Sequence, residues 1–333
     1  MKAILFKGKD QPLVLQEMDS PRPAKDHVLI RLHAAALNHR DVWIRREQIL
    51  STDKGIVLGS DGSGMIAAVG EEGDVSSVGR AVVINPSHDW GNNPLVQGDA
   101  FKILGFPDHG TFAEYIVIHK KYVHDKPAHL TLEEAAAVPL SGLTAYRALF
   151  TKARLRPGEK VLITGIGGGA ALWAFQLALA FQAKVYVTSS SAEKIARALQ
   201  MGAVEGFNYR EADWTEKAKR ATRGFDVIID SAGGAGFTSL LDVAAPGARV
   251  VIFGRTAGAI PDLAPRQIFW KQLSVMGTTM GTRDEFLSLL DFIEKRQVKP
   301  VVDAILPLAQ AEQAMERMER GDQFGKIVLK ISE

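Results

Sequence analysis

Hydrophobic and polar positions over the first 125 residues alternate in short runs broken by Gly, Pro, Asp and Asn. The runs fall at 3–6, 13–17, 27–36, 63–69, 81–85 and 111–118. Alternation of period two over so few residues marks half-buried strands, so this stretch predicts a mostly β unit. Between 85 and 110 the pattern lapses, with Pro86, Trp90, Gly91, Asn92, Asn93, Pro94, Gly98 and Pro107. That is a long loop, and loops of such length in compact domains are commonly functional.

From about residue 130 the rhythm changes. Short β-branched runs at 160–164, 184–188, 226–230 and 249–253 are separated by stretches long enough for crossover helices. This alternation predicts an α/β unit with a doubly wound parallel sheet and helices on both faces. A helical pattern at 308–320 and a strand-like run at 326–331 then return to mixed structure. The expected division is a β unit begun over 1–125, a Rossmann unit over 126–283, and a return to the first unit over 284–333. A chain of 333 residues is long enough for two such domains.

Composition removes several functional classes. Forty basic against thirty-eight acidic residues give a net charge of +2, so no surplus exists to hold a polyanion, and nucleic acid is not an expected partner. The densest basic run, Arg147, Lys152, Arg154, Arg156 and Lys160, reads as a solvated face. With no cysteine, disulfides, thiolate zinc sites, iron–sulfur clusters and a cysteine nucleophile are excluded together. No apolar run reaches the length of a membrane span, so no membrane partner is expected and the cytoplasm is the default location.

The strongest motif is the stretch 161–170, Val-Leu-Ile-Thr-Gly-Ile-Gly-Gly-Gly-Ala, ahead of an apolar helix expected over 171–181. Gly165 permits the tight turn, Gly167 lets the backbone approach a pyrophosphate, Gly168 and Gly169 continue the turn, and Ala170 keeps helix and strand close. Glycine-rich turns are common, but this one follows a strand, opens a helix and begins a βαβ series, which points to a dinucleotide. The acidic residue that grips the ribose of NAD belongs some twenty residues on, where the chain reads Thr188, Ser189, Ser190, Ser191. No carboxylate there repels a 2′-phosphate, and Lys194, Tyr209 and Arg210 follow as further donors, so the expected cofactor is NADP. Helix capping accounts for one of these serines but not for the missing acid.

Several landmarks in order give the chain a resemblance that covers essentially its whole length. They are Ala-Leu-Asn-His-Arg-Asp at 36–41, Leu-Gly-Ser-Asp-Gly-Ser-Gly at 58–64 with Val69 and Gly70, and Gly-Thr-Phe-Ala-Glu-Tyr at 110–115. Leu-Thr-Ala-Tyr at 143–146, the glycine turn, Asp-Ser-Ala-Gly-Gly at 230–234 and Phe-Gly-Lys-Ile-Val-Leu at 324–329 complete the set. Together they resemble the medium-chain dehydrogenase/reductase superfamily, in its zinc-free, quinone-oxidoreductase-like branch. The resemblance implies a GroES-like catalytic domain split around the Rossmann domain, with the active site in the cleft between them and a homodimer formed edge to edge.

In zinc-using members of that superfamily the catalytic metal is held at three positions that here read Asn38, Ser60 and Ser141. None is a good zinc ligand, and the stretch that would carry a structural zinc has no cysteine. His88, Asp89, Asp108 and His109 could be imagined as a replacement site there, but they read as solvent-facing. Without a metal, hydride transfer relies on positioning and on hydrogen bonds to the oxygen that gains charge, with Asn38, Ser60, Ser141 and Thr144 as donors. A simpler role for each hydroxyl is to satisfy nearby backbone. Trp43 stands where better-known quinone reductases have tyrosine; its indole can donate but cannot transfer a proton, and the preferred reading is that it walls the pocket.

Asp41 resembles a position that supports the site by pairing with a cation, and His39 one from which relatives reach the pyrophosphate, although it can equally be exposed. Ser231, Phe253, Gly254 and Thr278, at the ends of Rossmann strands, are expected to meet the cofactor, as is Lys326. The expected activity is NADPH-dependent, zinc-independent reduction of a quinone or α,β-unsaturated carbonyl compound. The alternatives are a zinc-free carbonyl reductase or alcohol dehydrogenase, and a non-catalytic NADPH-binding sensor.

Overall fold

The computed structural model describes residues 1–9, 11–47 and 55–332. It divides into two units, Met1–Leu143 with Gly281–Glu333, and Thr144–Met280. The first is the predicted β unit. Its larger sheet runs in the order Val123–Asp125, Ala81–Ile84, Asp61–Val69, His27–Ala36, Lys326–Lys330, Val302–Pro307, with Tyr115–His119 also paired to His27–Ala36. The central strand His27–Ala36 alternates as its sequence requires and ends in three fully buried alanines. The small side chains of Ala34 and Ala36 let Ala136, Ala137 and Val328 close over them, while Ala35 faces the other core. A second sheet, Val14–Glu17, Lys2–Phe6, Ile56–Val57, packs a separate core with the helix Ala311–Arg320.

The first boundary lies later than the sequence suggested. Residues 126–143 belong with the β unit because the helix Leu132–Ala136, closed by a Thr131/Glu134 capping box, packs on its central strands. The long loop over 85–110 is largely irregular, pinned by the small ladder Ser87–His88 with Lys102–Ile103.

The second unit is a six-stranded sheet in the order Glu205–Asn208, Lys184–Ser189, Lys160–Ile163, Phe225–Asp230, Ala244–Ile252, Ser274–Gly277, every pair parallel. The first strand in the chain lies in the middle, so the order reverses between Lys160–Ile163 and Phe225–Asp230. Ligands of doubly wound sheets bind beyond the strand ends at such a reversal. The basic run is only partly the solvated face expected of it: Arg154 and Arg156 are exposed, whereas Arg147 lies inside. Among the described residues no helix is long and apolar enough to cross a membrane.

Candidate active site

Asn38 sits where the strand His27–Ala36 gives way to the helix His39–Glu47. Asp41, three residues on, accepts from the Asn38 backbone N–H through Oδ2 at 2.8 Å, as the returning arm of a capping box does. That leaves the Asn38 side chain for other work. Its Oδ1 accepts from Lys326 Nζ at 2.7 Å and its Nδ2 donates to Asp61 Oδ2 at 2.9 Å. Lys326 also donates to Leu37 O at 2.7 Å and to Asp61 Oδ2 at 2.9 Å, which uses all three of its N–H groups. The Lys326 and Asp61 side chains are 3% and 0% exposed. The opposite charges therefore set the amide's orientation, and one Nδ2 hydrogen is left over.

Asp61 gathers a second part of the site. Its Oδ1 accepts from Leu140 N at 2.8 Å in the first turn of the helix Pro139–Tyr146. The next residue, Ser141, is buried, and its hydroxyl has no hydrogen-bond partner among the described residues. A buried hydroxyl without a partner is costly, which makes Ser141 a donor in waiting. Thr144, one turn further, is also buried, with Oγ1 4.0 Å from Met280 Sδ.

Three sequence expectations need correction. Lys326, expected to meet the cofactor, has its ammonium buried and all three N–H groups engaged within the first unit. Ser60 is not an available donor: Oγ donates to Leu104 O at 2.7 Å and accepts from Arg40 Nη1 at 2.9 Å. The simpler role wins there. Among the described residues the supporting ion pair falls on Asp61 and not on Asp41, whose Oδ1 is buried there without a partner. Trp43 is half-buried with its ring edge-on to that of the exposed His39, centroids 5.5 Å apart.

Burial lifts the Asp41 carboxyl from its ordinary value near 3.8 to about 6, against the opposing pull of Arg40, the Asn38 hydrogen bond and Lys326. The native carboxyl thus takes up its proton at a higher pH than the unfolded one. Native stability from this group rises as pH falls from above 6 towards 3.8, by about 3 kcal/mol. Asp41→Asn, which keeps an oxygen for the Asn38 N–H, is expected to be more stable than the parent at pH 7.5 by up to that amount. The advantage should vanish by pH 4. Denaturant unfolding of both proteins at several pH values checks this, and a difference that does not depend on pH would contradict it.

The residues imagined as a substitute metal site are dispersed. His88 stacks on Tyr122 at 3.9 Å, and burial pushes its pKa down to about 4. Asp89 accepts from Lys121 and Tyr122, Asp108 pairs with Lys102, and His109 Nδ1 accepts from Val57 N. Among the described residues no group of three His, Asp or Glu side chains could hold a metal. The three landmark positions do not suit zinc either: the Asn38 amide is engaged at both ends, and Ser60 carries a guanidinium where a divalent cation would be repelled.

The second unit carries the nucleotide cradle. The helix Gly169–Ala180 begins at Gly168, which caps it without a side-chain bond, so the N–H groups of Gly169, Ala170 and Ala171 have no intrahelical acceptor. Gly167 has φ +122°, and a Cβ there would meet Lys194 Cδ at 2.8 Å, so the Lys194 side chain lies across the turn. Of the three serines, Ser191 caps the next helix by accepting from Lys194 N, and Ser189 Oγ accepts from Ser191 N. Ser190 is half-buried. Tyr209 and Arg210 are exposed at the end of the neighbouring strand.

Beyond the central strands, Asp230 accepts from Thr164 Oγ1 at 2.6 Å and from Gly233 N at 2.9 Å, which shapes the turn bearing Ser231. A Cβ on Gly254 would lie 2.0 Å from Ser231 O, so only glycine lets the two strand ends approach. Phe253 N donates to Asp230 O and Thr278 N to Ile252 O. Thr278 Oγ1 is buried without a partner among the described residues.

A GroES-like unit carrying polar donors, combined with a Rossmann unit carrying a phosphate turn, is the build of a nicotinamide-dependent oxidoreductase. Comparison with known proteins agrees. Residues 24–128 match the family model "Alcohol dehydrogenase GroES-like domain" and residues 169–295 match "Zinc-binding dehydrogenase". The chain is 36% identical to the "Zinc-type alcohol dehydrogenase-like protein YogA" of Leptosphaeria maculans, over 96% of this chain and 95% of that protein. It is 31% identical to the "Quinone oxidoreductase" of Mus musculus, over 97% and 95%. The crystal structure of an "NAD-dependent alcohol dehydrogenase" superposes with a TM-score of 0.94 at 36% identity, covering all of both chains. The chain belongs to the medium-chain dehydrogenase/reductase superfamily.

Sequence reasoning gave no role to Asp61 or to Arg40. Both stood inside quoted motifs, and the signal was their charge. Asp61 opens a glycine-rich strand whose first four residues are buried, and a buried carboxylate requires a partner.

Proposed function

We propose that the protein is an NADPH-dependent oxidoreductase of the cytoplasm that reduces a quinone or an α,β-unsaturated carbonyl compound without zinc. One arrangement carries this reading: the clamp of Lys326 and Asp61 on Asn38, which leaves a single amide N–H free, while the same Asp61 holds Leu140 N next in the chain to Ser141, whose hydroxyl has no partner among the described residues. Two neutral donors suit an oxygen on which charge is already spread over a conjugated system; a saturated ketone concentrates that charge and calls for a stronger electrophile. The cofactor, when bound, supplies hydride. Gly167 and the first turn of the following helix would hold its pyrophosphate, and Ser190 with Lys194 would hold a 2′-phosphate. Ser231, Phe253, Gly254 and Thr278 would frame the nicotinamide.

The expected result with NADPH is faster reduction of an enone than of the saturated ketone matched to it in every other bond, unaffected by a strong chelator. Product analysis should place the hydride on the β-carbon. If saturated ketones are reduced faster and give alcohols, the protein is a carbonyl reductase, a reading favoured by its likeness to the superposed alcohol dehydrogenase. Binding of NADPH with no turnover of any acceptor would leave a sensor. For assembly we propose a homodimer paired through the edge strand Ser274–Gly277. Val275 is exposed there, and Phe269 and Trp270 are 58% and 72% exposed just before it in the chain.

A further inference from the structure

The first unit holds two cations near Asn38, and they are treated differently. Lys326 is neutralised by Asp61 at 2.9 Å. Arg40 is held only by neutral oxygens: Nη1 donates to Ser60 Oγ at 2.9 Å and to Leu104 O at 3.0 Å, and Nη2 to Phe106 O at 3.5 Å. Among the described residues no carboxylate forms an ion pair with its guanidinium. Asp41 and Asp61 act on it only from a distance, and burial pulls its pKa below the usual guanidinium value, as befits a cation removed from water without a counter-ion. Of its five N–H groups, Nε–H and one on Nη2 keep no acceptor. The side chain is half-buried, so this charge is both concentrated and reachable.

A semi-buried guanidinium without an anion is unfavourable unless an anion arrives. Arginine holds its charge at every working pH and offers a planar fork that fits oxygen anions. It also touches Ser60, one of the three positions at which zinc-using relatives hold their metal. We infer that Arg40 forms the anion position of the site and receives the acceptor's oxygen, through its two unengaged N–H groups, as charge builds there. The inference rests on the reductase reading above and adds a permanent cation to the two neutral donors. In the reaction the hydride joins the β-carbon, the C=C electron pair shifts toward the carbonyl, and the oxygen becomes an enolate facing Arg40. Water then returns a proton to the α-carbon, and the cofactor leaves oxidised. The remaining guanidinium bonds hold Leu104 and Phe106, so the same side chain anchors the loop over 85–110 to the site.

Acetate is a suitable probe because it offers a charged oxygen and cannot be reduced. It is expected to bind the complex with oxidised cofactor, to compete with the acceptor and not to compete with the cofactor. Arg40→Gln should weaken acetate at least about tenfold, the effect of losing a charge-assisted contact, while the cofactor constant stays within about twofold. Arg40→Lys, which keeps the charge and gives up the fork, should keep part of the acetate affinity and serves as the deciding variant if Arg40→Gln does not fold. Acetate that does not compete in the parent, equal acetate affinity in parent and Arg40→Gln, or a folded Arg40→Lys with no acetate affinity would overturn the inference and leave a loop anchor. Acetate binding is read by tryptophan fluorescence without turnover. A protein that binds acetate through Arg40 but reduces no acceptor would thus refute the reductase reading and spare the anion position.

Discussion

Lys326→Met is expected to destabilise the protein by about 3–5 kcal/mol, because it leaves Asp61 as an uncompensated charge in a fully buried place. Turnover should fall on the order of 100-fold, the usual loss when a positioned oxyanion donor is displaced. The two effects have separate origins, which a double variant exposes. Asp61→Asn with Lys326→Met removes both charges and keeps an oxygen for Leu140 N–H, so most of the lost stability should return. Turnover should not return, since nothing then orients the Asn38 amide. Urea unfolding and steady-state rates on the parent, the single and the double variants provide the comparison. Recovery of rate together with stability would show that Lys326 serves the fold alone.

Ser190→Asp is expected to swing the ratio of NADPH to NADH affinity by about 100-fold or more. The new carboxylate would stand close to the 2′-phosphate of NADPH, where two like charges a few ångströms apart repel by several kcal/mol at a protein surface. In NADH the same carboxylate accepts from the ribose 2′-hydroxyl, so one affinity falls as the other rises. Titration of both cofactors by fluorescence measures the ratio. A parent that already binds NADH more tightly would overturn the assignment before any variant is made.

Regular elements were legible wherever one residue type repeated with one period. The central strand His27–Ala36 matches its alternation, and the parallel strands of the second unit match their β-branched runs within a few residues. Glu205–Asn208 was harder to delimit, since Glu-Gly-Phe-Asn has no β-branched residue and depends on its neighbour for pairing. The glycine turn was legible because its chemistry is local. The clamp on Asn38 was not, because its members lie at 38, 61 and 326 and meet only through the sheet, where Lys326–Lys330 pairs with His27–Ala36 and that strand pairs with Asp61–Val69. Ser60 and Ser141 look alike in sequence. Only packing shows that one hydroxyl is used by Leu104 and Arg40 while the other is left without a partner.

The catalytic unit is made from two separated stretches of chain with the whole Rossmann unit between them. On the ribosome, the Rossmann sheet can therefore be complete while the catalytic unit still lacks the strand Lys326–Lys330, which lies between His27–Ala36 and Val302–Pro307. Until that strand arrives, Ala34–Ala36 lack their partner on one side and Asp61 is a carboxylate without its cation. One late strand thus brings both the partner of Ala34–Ala36 and the cation that the buried Asp61 needs.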